Sequence, residues 1–436
     1  MRSRLRSPGA TRWRQGVLPF RRRAERLERA FQVGIAAATA AVVVAMIAGS
    51  PQGRDAAARL ATRARWATSR ALGMHVDRAE IEADRHRARL RGVDQARRAL
   101  ADREREGSPG FREFLRVAGM DSRSAVIRWG NHDWTLALSS HVFEPDDAGR
   151  SYRLRPKARS TWLVGLNLFG VAAMFEIPDT PEARRLGQAV GGRPVPGSDQ
   201  STNSWGCRGA EPDPSAPVRG IVLGDSNMQG LLVGDDEAPP ARLEARLRRD
   251  LGVPVSVLNA GVLGYSLEQY YHTLLAFHDR LRPQFVVVSV CDNDLGDLRD
   301  PARWAEAETW LEAITQVCRT RRILCLIVPV PAEFDMLGTR DESLFPGRLS
   351  LISRTSALFY LNPLEEFATE EIRLRVEARR KGEPVPSSRL FNGKYGDKHF
   401  SPLGSDLWAA IVARRLELLW GDVNPRGIGP LRPGPK

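Results

Sequence analysis

The stretch VRGIVLGDSNMQGLLVGDDEAPPARLEARLRRDL, residues 218–251, decides how the rest of the chain is read. An apolar run at 220–223 shows no polar alternation, stops at Gly224-Asp225-Ser226, and gives way to the helical sequence APPARLEARLRRDL. The same alternation of types continues downstream. Apolar runs at 253–258, 285–290 (FVVVSV) and 323–328 (ILCLIV), with a shorter one at 357–361, are separated by helix-like segments at 267–281, 301–319 and 364–380, and 402–419 closes the series. Strands buried on both faces are continuously apolar, whereas half-buried strands alternate. The expectation is therefore an α/β fold, a three-layer α/β/α domain on a parallel sheet, spanning residues 201–422.

In such sheets ligands bind outside the carboxyl ends of the strands, so strand-end residues are the ones to examine. Ser226 follows the first strand, Asn259-Ala260-Gly261 the second, Asp292-Asn293-Asp294 the third, and Asp397-Lys398-His399 precedes the last helix. Singly each has an ordinary explanation: a serine after a strand caps a helix, a glycine makes a turn, a lone histidine is structural. Jointly they supply a nucleophile, a base with a carboxylate near it, a backbone donor and a side-chain amide. That is the equipment of acyl transfer.

Those four motifs, GDSNMQG with Ser226, LNAGVLGYS with Gly261, CDNDLGD with Asn293 and DKHFSPLG with His399, resemble the signature blocks of the SGNH or GDSL hydrolases. They occur in the family's order, at spacings of 35, 32 and 106 residues. The preceding TNSWGCRGAEP, residues 202–212, resembles the asparagine, glycine and arginine segment of many membrane-anchored bacterial members, and the likeness extends over residues 203–420. It implies that Ser226 attacks an ester carbonyl, that His399 takes the serine proton, and that Asp397 orients the imidazole. It also implies an oxyanion hole made by the Ser226 and Gly261 N–H groups and the Asn293 amide, with no metal and no organic cofactor. Asp225 and Asp294 are expected to order loops through hydrogen bonds. Two positions depart from the family pattern. Gly396 stands where the aspartate is usual, with Asp397 one residue later, and Cys291 replaces a common glycine. Three readings stay open: an esterase, an O-acyltransferase of the same fold, and, supported only by these departures, a non-catalytic module that binds an envelope glycan.

Upstream of the sheet the sequence changes character. Residues 108–200 hold short apolar runs, at 125–129, 135–138 and 162–169, broken by Gly, Pro, Asp and Ser. They read as an accessory, mainly β and loop region, with a linker at 187–197. Residues 51–107 are rich in Arg and Ala and read as a solvated helical stalk, with a strand pair as the alternative for 75–93. From residue 30 to 53 there is no charged side chain, and residues 30–50 are long enough for a single transmembrane helix. The span follows a basic tail, residues 1–29, with ten Arg and two Glu. Seven Arg in the twenty residues before the span, against five in the twenty after it, predict a cytoplasmic N-terminus. The remainder would then lie outside the cytoplasmic membrane, with a Pro/Gly-rich tail at 423–436.

The net charge of +13 is contained in residues 1–107; beyond them 41 basic side chains balance 41 acidic ones. No basic, aromatic-bearing module remains to suggest nucleic-acid binding, so the expected partners are the membrane and an acylated glycan, lipid or small molecule. Four cysteines, Cys207, Cys291, Cys318 and Cys325, are too few for a disulfide-built scaffold and lack zinc-site spacing. His132-Asp133 reads as a surface loop or core edge, and His272 and His278 as helix-face residues.

Overall fold

The computed structural model describes residues 93–129, 135–146, 148–168, 171–295, 301–336, 346–355, 359–383, 388–393 and 399–423. The expected transmembrane segment, the basic tail, the possible strand pair at 75–93 except for its last residue, His132-Asp133 and Asp397 lie outside them. Among the described residues no helix is long and apolar enough to cross a membrane. The chain divides into two units, one holding residues 301–309 among its described residues, the other falling within Ala88–Arg299 and Trp310–Lys436. The account below concerns the second; the helix at 301–321 starts in the first.

It opens with a helix at 93–106 (α1) and a second, Pro109–Val117 (α2), started by Ser108, whose hydroxyl accepts from the Phe111 N–H. Short antiparallel pairs follow: β1 (Val126–Trp129) with β2 (Thr135–Leu138), and β3 (Phe143–Asp146) with β4 (Ser151–Leu154). The longest strand of the region, β5 (Arg159–Leu168), pairs with β6 (Val171–Pro178) on one side. After helix α3 (Pro181–Ala189), the short strands β7 (Arg193–Pro194) and β8 (Gln200–Ser201) also pair with β5. Residues 187–197, read from sequence as a linker, thus contain the end of α3 and a strand. Their Gly and Pro residues serve turns inside a folded unit.

Because successive side chains on a strand point to opposite faces, β5 serves two cores. Leu163 packs with Phe114, Leu115, Phe175, Ile177 and Leu186 beneath the helices, whereas Trp162 and Val164 pack with Val195, Leu231 and Leu232. The second set reaches into the parallel-sheet half.

That half is a five-stranded parallel sheet. Strand β9 (Val218–Gly224) runs into the four-residue helix α4 (Ser226–Gln229), followed by α5 (Pro239–Leu251), β10 (Val255–Gly261), α6 (Leu267–Leu281), β11 (Phe285–Val290) and α7 (Pro301–Arg321). Then come β12 (Leu324–Pro329), α8 (Glu333–Met336), α9 (Pro346–Thr355), β13 (Phe359–Tyr360), α10 (Leu364–Arg380) and α11 (Pro402–Val423). The spatial order is β10-β9-β11-β12-β13, a doubly wound sheet whose strand order reverses beside β9. Register places Gly224 opposite Gly261 and Val288 opposite both Leu223 and Ile327, so the carboxyl ends align. One face buries Val222, Val257, Val287 and Leu326 against Leu243 and Leu247 of α5, Phe367 and Leu374 of α10, and Trp408 and Val412 of α11. The sheet strands and their bounds agree with the apolar runs to within two residues at most ends, while α4, α8 and α9 were not anticipated.

Candidate active site

Ser226 begins α4, where the chain leaves the central strand β9. Asp225 makes that reversal possible: wholly buried, it accepts the Asn227 N–H through Oδ1 at 3.0 Å and so caps the helix. Gly230 ends it in the left-handed region at φ 81°, which a residue with a Cβ adopts only at a cost. All four residues of α4 are buried.

His399 comes from the far end of the chain. Its Nε2 lies 2.7 Å from Ser226 Oγ, a contact across 173 residues of sequence. Asn392, buried, holds the segment that carries it. The Asn392 N–H donates to the His399 carbonyl at 2.9 Å and its Nδ2 to the Phe400 carbonyl at 2.8 Å. Immediately after, Ser401 accepts the Gly404 N–H and starts α11. The Ser226 hydroxyl has a second acceptor in reach, Asp225 Oδ2 at 3.2 Å. Of the two acceptors the imidazole is the nearer. Asp397 lies outside the described residues, so its part in holding the ring remains an expectation.

Gly261 ends β10 directly beside α4. A Cβ on it would lie 2.4 Å from the Gln229 nitrogen and 2.7 Å from Met228 Cβ, so only glycine permits this approach. Its N–H, expected from the resemblance to receive the oxyanion, donates to Asn259 Oδ1 at 3.0 Å, an Asx-type turn. Asn293 lies half-buried in a one-turn 3-10 helix, Asp292–Asp294, at the end of β11, its N–H donating to Asp292 Oδ1.

Behind the nucleophile lies a buried polar floor that sequence reading left undefined. Asp294 accepts from Tyr270 Oη at 2.9 Å and from the Cys291 N–H at 2.8 Å, as a loop-ordering residue does. Burial first, then the charge of Asp225, pushes its carboxyl well above the usual 3.8. Burial, with Asp225, Asp292 and Asp294 around it, also raises the Cys291 thiol well above its ordinary range. A thiol held protonated is a poor nucleophile, and Cys291 instead packs its sulfur 3.7 Å from Asn227 Nδ2. Tyr270 and Gln229 carry no signal in sequence beyond lying inside or near the motifs. Among the described residues no group of three His, Cys, Asp or Glu side chains is arranged to hold a metal.

Residues 222–360 match the family model of the GDSL-like lipase/acylhydrolase family. The chain carries a domain of the SGNH/GDSL hydrolases, and that domain is one of an ester-bond hydrolase. Solved structures similar to it include the psychrotrophic esterase EstA from Pseudoalteromonas sp., 15% identical, covering 47% of this chain and 98% of that one, with a TM-score of 0.36. A lipase/acylhydrolase from Enterococcus faecalis is 18% identical over 46% of this chain and 95% of its own, at a TM-score of 0.34. The SGNH-hydrolase family esterase AlinE4 is 25% identical over 33% and 75% respectively, at 0.28. No curated protein matches the chain in sequence.

Proposed function

We propose that the chain is a serine esterase in which Ser226 attacks a carboxylic ester, His399 accepts its proton and returns it to the departing alcohol, and the resulting acyl-enzyme is released by water. The observation that carries this reading is the 2.7 Å contact of His399 Nε2 with Ser226 Oγ at the carboxyl edge of the parallel sheet. Negative charge on the carbonyl oxygen falls to the Ser226 N–H, the Asn293 amide and the Gly261 N–H. The last must turn from Asn259 Oδ1 to serve, so the hole is completed as substrate enters. Asp397, two residues before His399, is the residue assigned to steady the imidazole. The uncharged span at 30–50 and its Arg-rich flanks support a single-pass anchor that leaves the catalytic half outside the cytoplasm, acting on O-acyl groups of envelope glycans or lipids. Hydrolysis of a short activated acyl ester by the full chain, beside Ser226→Ala and His399→Ala, tests the chemistry. Wild type no faster than either variant would remove the esterase reading.

A further inference from the structure

The four-residue helix that carries Ser226 is too short to hold itself in place: a single turn fixes several residues for almost no internal hydrogen bonding. Its far end is held instead by two buried side chains. Arg208, whose side chain is 1% exposed, donates through Nη1 to the carbonyls of Gln229 and Gly230, through Nη2 to that of Val233 at 2.6 Å, and through Nε to Asp235 at 3.0 Å. Those carbonyls converge because the chain turns sharply there. Leu232, between them, has φ 64°, a left-handed conformation that strains a bulky residue. Its side chain is nevertheless buried with Trp162, Val164 and Val195 of the antiparallel region.

A second tie runs through Gln229, which is wholly buried. Its Nε2 donates to Glu176 Oε2 at 2.9 Å, while its Oε1 accepts the Leu263 N–H at 2.6 Å, two residues past Gly261. Glu176, on β6, accepts the Ser160 hydroxyl of β5 at 2.6 Å through its other oxygen. The same loop is gripped again by Tyr152 of β4, whose hydroxyl donates to the Leu263 carbonyl at 2.7 Å. One line of hydrogen bonds thus passes from the antiparallel sheet through α4 to the loop after β10. Burial pushes the Glu176 carboxyl up, against Ser160, Gln229 and Arg208, which pull it down.

We propose that the antiparallel region is a positioning element of the catalytic site, with Glu176 and Arg208 as positioning residues that set the Ser226 helix and the Gly261 loop relative to each other. The proposal rests on the serine-esterase reading for its consequence in turnover, but not for the coupling itself. A displacement of about 1 Å in such a constellation costs up to about a hundredfold in rate.

The test uses the full chain, an activated acyl ester, a phosphonate that titrates Ser226, and amide hydrogen exchange over residues 226–233 and 261–265. Glu176→Ala leaves Gln229 and Ser160 without their shared acceptor, and Arg208→Lys cannot serve three carbonyls and Asp235 together. Both are expected to lower turnover per titrated site roughly ten- to a hundredfold, with KM changed less than about twofold, and to speed exchange in both segments. Glu176→Gln can still accept from Gln229 while donating to Ser160, and regains most of what Glu176→Ala loses. Gln229→Glu sets two carboxyls face to face, and adding Glu176→Gln restores a donor opposite an acceptor, so the double variant exceeds Gln229→Glu alone. If the variants lose only melting temperature, with turnover per titrated site within about twofold of wild type and exchange unchanged, the proposal is overturned. If wild-type Ser226 takes no phosphonate, the esterase reading fails, and the exchange measurement alone decides the coupling.

Discussion

The parallel sheet and the antiparallel region are built by different rules, and the difference shows where information about this chain resides. In the parallel sheet nearly every strand residue is buried, FVVVSV at 285–290 being the extreme case, and helices cover one face with apolar side chains. In the antiparallel region one strand separates its labours by face. Leu163 stabilises its own region's core, and Trp162 and Val164 bear on Leu231 and Leu232 behind the nucleophile. Depth of burial therefore says nothing by itself about catalytic weight; the identity of the neighbour does.

The contrast can be tested from the largest effect downward. Ser226→Ala or His399→Ala, at the edge of the parallel sheet, should cut ester hydrolysis by about 10⁴-fold or more without changing the melting temperature greatly. Steady-state turnover with a thermal melt reads both. Asn293→Ala, which removes one proposed oxyanion donor, should cost about 10²–10³-fold in turnover with KM little changed. The two faces of β5 come next. Leu163→Ala and Trp162→Ala should each destabilise the fold by about 2–5 kcal/mol in denaturant titration. Only Trp162→Ala should also lower turnover per active site, and equal turnover in the two would break the comparison.

The smallest effect concerns pH. Because burial beside Asp225 raises the Asp294 carboxyl, the folded state binds more protons than the unfolded one above about pH 4. Its contribution to stability thus declines as pH rises from the usual 3.8 toward the elevated folded value, and is level below that window. Asp294→Asn keeps an acceptor for Tyr270 and the Cys291 N–H but cannot ionise. It should flatten that decline in a pH series of denaturant midpoints, while an unchanged slope would place the titration elsewhere.

Much of this was legible in sequence, for physical reasons that differ by region. Buried parallel strands must be continuously apolar, so β9 to β12 stand out, and their ends point to Ser226, Gly261 and Asn293. No periodicity links His399 to Ser226, 173 residues apart; their approach is inferred from their common place at the carboxyl edge of the sheet and from the resemblance. The buried polar ties were not legible. Glu176 looks like any charged residue on a short strand, and Arg208 is visible only as part of TNSWGCRGAEP, where the structure gives it an occupation: Asn203 folds the loop by accepting the Trp205 and Cys207 N–H groups, and Arg208 projects from it onto α4. Residues 187–197 misled because Gly and Pro mark turns inside a sheet as readily as linkers between domains.

The most direct test of the central claim is covalent. The full chain is treated with an activated alkyl phosphonate and digested, and the adduct is located by mass spectrometry, alongside Ser226→Ala and His399→Ala. The account predicts a single adduct on the peptide containing Ser226, absent in Ser226→Ala and formed far more slowly in His399→Ala. Labelling that survives Ser226→Ala at the wild-type rate, or a wild-type protein that is folded yet unlabelled, would contradict it.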